Sequence, residues 1–167
     1  MGRVLQVNVK PREAGEVGLP KSPVAEAEIT SAGVVGDFNR YRHDRLADEL
    51  DSAVLLIPKE TIETLDREGW PVRPGDLGEN LTTEGIAYDA LGPGRRVQVG
   101  PVLLEVTRAC DPCTNLHQLP YVGAARGPAF VRTMVGRRGW YAKVLTPGRV
   151  RSGDPVAVVP TASDGPR

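Results

Sequence analysis

A thiolate can act as a nucleophile, a persulfide carrier or a soft metal ligand, and this chain holds both of its thiols in one short stretch, Cys110-Asp111-Pro112-Cys113. Cys113 follows Pro112 in a loop just past a predicted strand. Arg108, five residues upstream, supplies a cation that favours the thiolate. The Cys-x-x-Cys spacing admits three readings. One is a dithiol redox pair, which needs a strand-to-helix context. Another is a zinc site in which Cys110, Cys113 and His117 reach one ion, with His43 as the other available histidine. The third is a chance spacing in which Cys113 works alone or merely packs as a small half-buried residue.

Three other segments carry polar chemistry. Arg40, Arg42, His43 and Arg45 follow the tight turn at Gly36-Asp37; they read either as a solvated surface or as an anion pocket. Gly75-Asp76-Leu77-Gly78-Glu79-Asn80-Leu81 is a glycine-spaced loop. There Asn80 can donate and accept and Glu79 can accept, toward a ligand or toward the loop itself. Arg137-Arg138 precede Gly139-Trp140-Tyr141, and the structural reading, basic residues closing a helix, outweighs phosphate binding.

The elements that must position these residues read mostly as strands. Residues 3–9 alternate, with Leu5, Val7 and Val9 on one face. Residues 24–30 form a second candidate strand, and 31–45 read as a charged loop without a period. Ser52 to Ile57 is a short buried strand. The Pro58 start and the Gly69 stop predict a helix over 58–68. Residues 95–99 and 102–107 form a hairpin at Gly100-Pro101. Phe130, Val131, Met134 and Val135 predict a helix over 128–136. Residues 140–146 and 155–159 add two strands. Many short strands with few helices predict a mainly β domain, an antiparallel β-barrel with two or so short helices, over residues 1–160. Residues 161–167 read as a flexible tail.

Composition agrees. The chain has 167 residues, 40% hydrophobic and 25% charged, which describes one globular domain. With 21 basic and 21 acidic side chains there is no cationic excess to drive nucleic-acid binding. No apolar run approaches the ~20 residues that span a bilayer, so no membrane is expected. No signal peptide is read at the N-terminus, and the expected location is cytoplasmic.

Taken in order, the pieces resemble the MOSC domain, named for the C-terminus of molybdenum cofactor sulfurase. The resemblance rests on Gly33-Val34-Val35-Gly36-Asp37 with a following histidine, then Gly75 to Gly85 containing Gly78-Glu79-Asn80-Leu81. It continues through Leu103 to Arg108, Pro112-Cys113, Gly139 to Val144, and Gly148 to Asp154. His43 stands farther from Asp37 than the family's Gly-Asp-x-x-His spacing, and Cys110 is an addition to the pattern.

The resemblance implies a β-barrel that binds the molybdenum cofactor or handles sulfur. On that implication Cys113 is the metal ligand or persulfide carrier. Lys21, Asp37, Arg40, Arg42, His43, Glu79, Asn80 and Arg108 are the implied cofactor-binding residues. Two activities follow. One is reduction of N-hydroxylated small molecules with electrons from a separate reductase. The other is sulfur carriage, with Cys113 charged by a cysteine desulfurase, so that pyridoxal phosphate is expected only on that partner enzyme. A non-catalytic anion-binding module is the third reading.

Overall fold

The computed structural model describes residues 1–161 and 163. Position 162 and positions 164–167 of the expected tail lie outside the described residues. Seven strands close a barrel in the order β1 (Gly2–Val9), β11 (Pro155–Val158), β7 (Arg96–Val99), β8 (Val102–Ala109), β9 (Trp140–Thr146), β5 (Val54–Pro58) and β6 (Leu81–Glu84), with β6 returning to β1. A further strand, β2 (Ser22–Val24), pairs with β1 outside this ring. A small separate sheet joins β10 (Gly148–Arg151), β3 (Glu26–Thr30) and β4 (Gly33–Val34).

The barrel is mixed rather than purely antiparallel. β5 and β6 run parallel, with Leu56 opposite Leu81 and Pro58 opposite Thr83. Parallel neighbours need a long crossover, supplied here by helix α2 (Lys59–Arg67) and the loop up to Asn80. Among the described residues there are three short α-helices: α1 (Arg40–Leu46), α2 and α3 (Gly123–Met134).

Several local expectations shift. In β1 the buried apolar residues are Val4 and Val7, not the Leu5–Val7–Val9 series, because the pairing with β6 changes register between Val4 and Gln6. An extra residue at such an irregularity turns every later side chain to the other face. The charged segment forms α1 instead of a loop. Asn39 caps it by accepting a hydrogen bond from the Arg42 N–H, and no α1 residue is buried, so there was no apolar period to read. Helix α3 begins five residues ahead of the expected start and carries Pro128 inside. Gly127 lets it press on His117: a Cβ there would stand 2.2 Å from His117 Nε2.

β5 explains where the site lies. All five of its residues are buried. Val54 and Leu56 face the barrel interior with Val4, Val7, Leu104 and Ala142. Ile57 faces outward under α2 and α3 with Ile62, Leu65, Phe130 and Met134. Leu55, also outward, packs with Cys110 and Tyr141. Cys110 therefore belongs to the outer wall of the barrel just past the end of β8, and Cys113 follows at the head of a 3-10 turn.

Candidate functional site

A small cavity opens over Leu55. Its lining includes Cys110, Cys113, Asn39, Asn115, Arg138 and Tyr141, closed on one side by Val17-Gly18-Leu19. It has room for a water-sized guest, about 20 Å³. Cys110 is held at the end of β8 by donation from its N–H to the Gly139 carbonyl, 2.8 Å. Cys113 is half-buried and opens a 3-10 turn over Thr114–Gln118, its carbonyl accepting from the Leu116 N–H at 3.1 Å. Cys113 also lies in an outer groove of about 240 Å³ with Arg40, Tyr41, Asp44, Arg45 and Asn115. The thiol thus stands between an enclosed cavity and an open groove.

Arg138 is the unusual group. It is 5% exposed, and its Nε and Nη1 have no hydrogen-bond partner among the described residues. An unpaired buried cation is costly unless a ligand supplies the missing acceptors. Its neighbour Arg137 instead reaches out to Glu68, at 2.6 Å. Gly139 makes the division possible. Its φ is +104°, and a Cβ there would stand 2.7 Å from the Leu56 carbonyl. The Tyr88 hydroxyl accepts from the Gly139 N–H at 3.0 Å and fixes the turn.

Burial pushes the Cys110 thiol up, and the positive charge of Arg138 and a hydrogen bond from Tyr141 pull it back. Tyr141 is itself pushed above the usual phenol range, first by burial and then by the neighbouring Cys110.

The remaining residues named from sequence fall into separate groups. Asp37, Arg42 and Asn80 line a second polar pocket with Asn39 and Ser52, so Asn39 borders both spaces. Asp37 pairs with buried Lys21 at 2.6 Å and accepts from the Lys10 N–H at 2.9 Å and from Asn80 Nδ2 at 2.8 Å. Asn80 Oδ1 accepts from the Leu55 N–H at 3.1 Å, which ties the glycine loop to β5 beneath the cysteines. Arg40 lines the outer groove and donates to the Glu16 carbonyl. Arg42 donates to the carbonyls of Ala32, Asp48 and Glu49. His43 Nδ1 lies 2.7 Å from Asp48 Oδ2. Arg108 pairs with Glu49, donates to Ser52 Oγ at 2.6 Å, and lies over the Tyr141 ring. It is not among the residues lining the Cys113 cavity; Arg138 is the cation there.

Glu79 is fully buried. Its Oε1 accepts from the Gly75 N–H at 2.6 Å and from Thr82 Oγ1 at 2.8 Å, and its Oε2 has no partner. Burial raises its carboxyl above the ordinary value of 4.5, against those two hydrogen bonds and Arg138. The folded chain therefore holds a proton that the unfolded chain releases above that value, and stability falls as pH rises above it. Glu79→Gln keeps the accepting oxygen and removes the titration. Chemical denaturation across pH 4.5–7.5 is expected to show the variant gaining on the parent as pH rises, by at most ~1.4 kcal/mol per pH unit. A gap that stays constant or closes would show that Glu79 is ionised in the fold.

Among the described residues, no group of three or more His, Cys, Asp and Glu is placed to hold a metal ion, so the Cys110–Cys113–His117 set does not form. No helix among them is long and apolar enough to cross a membrane.

A small closed mixed barrel, with a half-buried cysteine after its β7–β8 hairpin and a glycine loop pinned beneath it, defines a class of domain. Residues 37–157 match the MOSC domain, and the chain belongs to that family. It is 30% identical over 88 residues to protein YiiM of Escherichia coli strain K12, a stretch that is 53% of this chain and 38% of that protein. Two solved structures share the fold. YiiM from Geobacillus stearothermophilus superposes with a TM-score of 0.71 at 24% identity, covering 96% of this chain and 76% of that one. The YUAD protein from Bacillus subtilis gives 0.77 at 18% identity, covering 93% of each.

Proposed function

We propose that this MOSC domain binds the molybdenum cofactor through the Cys113 thiolate and reduces N-hydroxylated small molecules, taking electrons from a separate reductase. The observation that carries the reading is the pairing, in one cavity, of a half-exposed thiol with a buried guanidinium whose Nε and Nη1 lack partners. That donor set fits an anionic, metal-bearing group. A thiolate suits a soft metal, and Arg138 offers charge-assisted hydrogen bonds to oxyanions. One thiolate is too few ligands to hold a metal alone, so the metal must arrive with donors of its own. The cavity admits only a water-sized guest, so the bulk of a larger group lies toward the groove of Arg40, Tyr41 and Arg45.

When bound, the cofactor supplies a redox metal able to take oxygen from a substrate. The chain's own residues do the rest. Cys113 anchors, Arg138 neutralises negative charge, Asn39 and Asn115 offer amides that orient polar groups, and Val17 and Leu19 exclude water. Lys21, Asp37, Asn80 and Glu79 act one layer below, holding the glycine loop that carries Gly78 to the cavity.

The same accessible thiol supports a second reading, sulfur carriage from a pyridoxal-phosphate-dependent cysteine desulfurase. Elemental analysis decides between them, on protein made in cells that synthesise the cofactor. About one molybdenum per chain is expected. Metal-free protein that accepts labelled sulfur from a desulfurase would overturn the reductase reading in favour of carriage. Metal-free protein that takes no sulfur would leave an anion-binding module.

A further inference from the structure

We propose that Cys110 is the resolving thiol of Cys113, and that the two form a reversible intrachain disulfide when Cys113 is oxidised by a hydroperoxide. The inference goes beyond cofactor binding and concerns the cofactor-free chain, in which the Cys113 thiol is unligated. It rests on placement. Both cysteines line one cavity with room for about a single water, and both are free. Only Cys113 also lines the outer groove, so an oxidant from solvent meets Cys113 first. Cys110 is buried and reached only from the cavity side.

The surroundings of Cys110 suit this role. A buried thiol with no charged neighbour is inert. Here burial is the larger influence and holds Cys110 as the thiol, with the Arg138 guanidinium and the Tyr141 hydroxyl acting against it, so Cys110 brings its proton into the second step. Arg138 lines the same cavity, and its buried Nε and Nη1 have no hydrogen-bond partner among the described residues. The backbone favours approach as well. Cys110 is fixed to Gly139, Cys113 is fixed at the head of the 3-10 turn, and only Asp111 and Pro112 separate them.

The chemistry balances in two steps. The Cys113 thiolate attacks hydrogen peroxide, the O–O bond breaks, hydroxide leaves, and Cys113 becomes a sulfenic acid. The Cys110 sulfur then attacks the Cys113 sulfur. The S–O bond breaks, the S–S bond forms, and the Cys110 proton leaves with the hydroxyl as water. The peroxide gains two electrons and the thiol pair loses two. A small dithiol reverses the step by thiol–disulfide exchange. In the disulfide form Cys113 is neither a metal ligand nor a persulfide acceptor, so the pair makes loading sensitive to oxidant.

The test uses hydrogen peroxide as oxidant and dimedone as a trap for sulfenic acid. No Lys or Arg lies between Arg108 and Arg126, so trypsin leaves both thiols in one peptide. Wild-type protein is expected to yield that peptide lighter by ~2 Da, reversible by dithiothreitol, with little dimedone adduct. Cys110→Ala is expected to leave the sulfenic acid unresolved and raise dimedone labelling of Cys113 at least ten-fold. Cys113→Ser should give neither product. A wild-type peptide that carries dimedone as heavily as Cys110→Ala, or a disulfide joining two chains, overturns the proposal. The wild-type measurement decides alone if the Cys110 variant does not fold.

Discussion

Cys113→Ser is expected to empty the domain of bound molybdenum, or of sulfane sulfur if it is a carrier, whereas Cys110→Ser is expected to load like the parent. A serine hydroxyl stays protonated at neutral pH and is a hard donor, so it cannot replace a soft thiolate. Loss of even an outer hydrogen bond to a metal ligand costs roughly 10–100-fold in affinity, and loss of the ligand itself costs more. Cys110 does not line the groove through which a large group approaches, and it packs with Leu55 and Tyr141. Loading each variant in parallel and measuring molybdenum and sulfur per chain checks both statements. Equal loss in the two variants would mean that the thiols act as a unit during loading, and the single-anchor mechanism would fall. Resolution of an oxidised Cys113 by Cys110 is a separate event that occurs in the unloaded chain and prevents loading, so it does not predict loss in Cys110→Ser.

The barrel was legible in sequence where strands alternate and turns carry glycine or proline. The hairpin at Gly100-Pro101 and the helix after Pro58 both lie where the residues place them. What was not legible has physical causes. The parallel β5–β6 pair is a tertiary choice: a crossover helix and loop can return to either side of a sheet, and the local pattern does not say which. Helix α1 lies on the surface and is held by its Asn39 cap and by Arg42 bonding to carbonyls of the flanking segments, so it lacks the apolar stripe by which helices are read. The site divides the same way. Cys113 was marked by the Pro-Cys pattern. The glycine loop was marked too, but its Asn80 and Glu79 are spent mostly on the loop, β5 and Asp37. In the sequence Arg138 reads with Arg137 as a helix-end pair. The burial that separates them depends on Tyr88 and Leu56, far away in sequence.

Arg138→Met is expected to make the ligand-free protein more stable while weakening its hold on anions. The two effects have one cause. In the free protein the guanidinium is buried with Nε and Nη1 unpartnered, and no carboxylate is paired with it by an ion pair among the described residues. Replacing a poorly compensated buried charge with an apolar side chain of similar length stabilises by roughly 1–4 kcal/mol, and in a domain of this size each kcal/mol raises Tm by about 2–4 °C. Charge-assisted hydrogen bonds to a bound oxyanion are worth about 1.5–3 kcal/mol each, so losing them should cost on the order of ten- to a hundred-fold in affinity. Removing Arg138 also removes the charge that opposes burial at Glu79 and Cys110, so the carboxyl and the thiol should both be driven further toward their protonated forms. Thermal unfolding without ligand, beside calorimetric titration with molybdate or phosphate, reads both signs. Arg138→Lys serves as control: it keeps the charge, loses the planar fork, and should fall between parent and Met variant in affinity. A Met variant that unfolds early with anion binding intact would show that the guanidinium holds the fold together, and the cavity would lose its claim to an anionic guest.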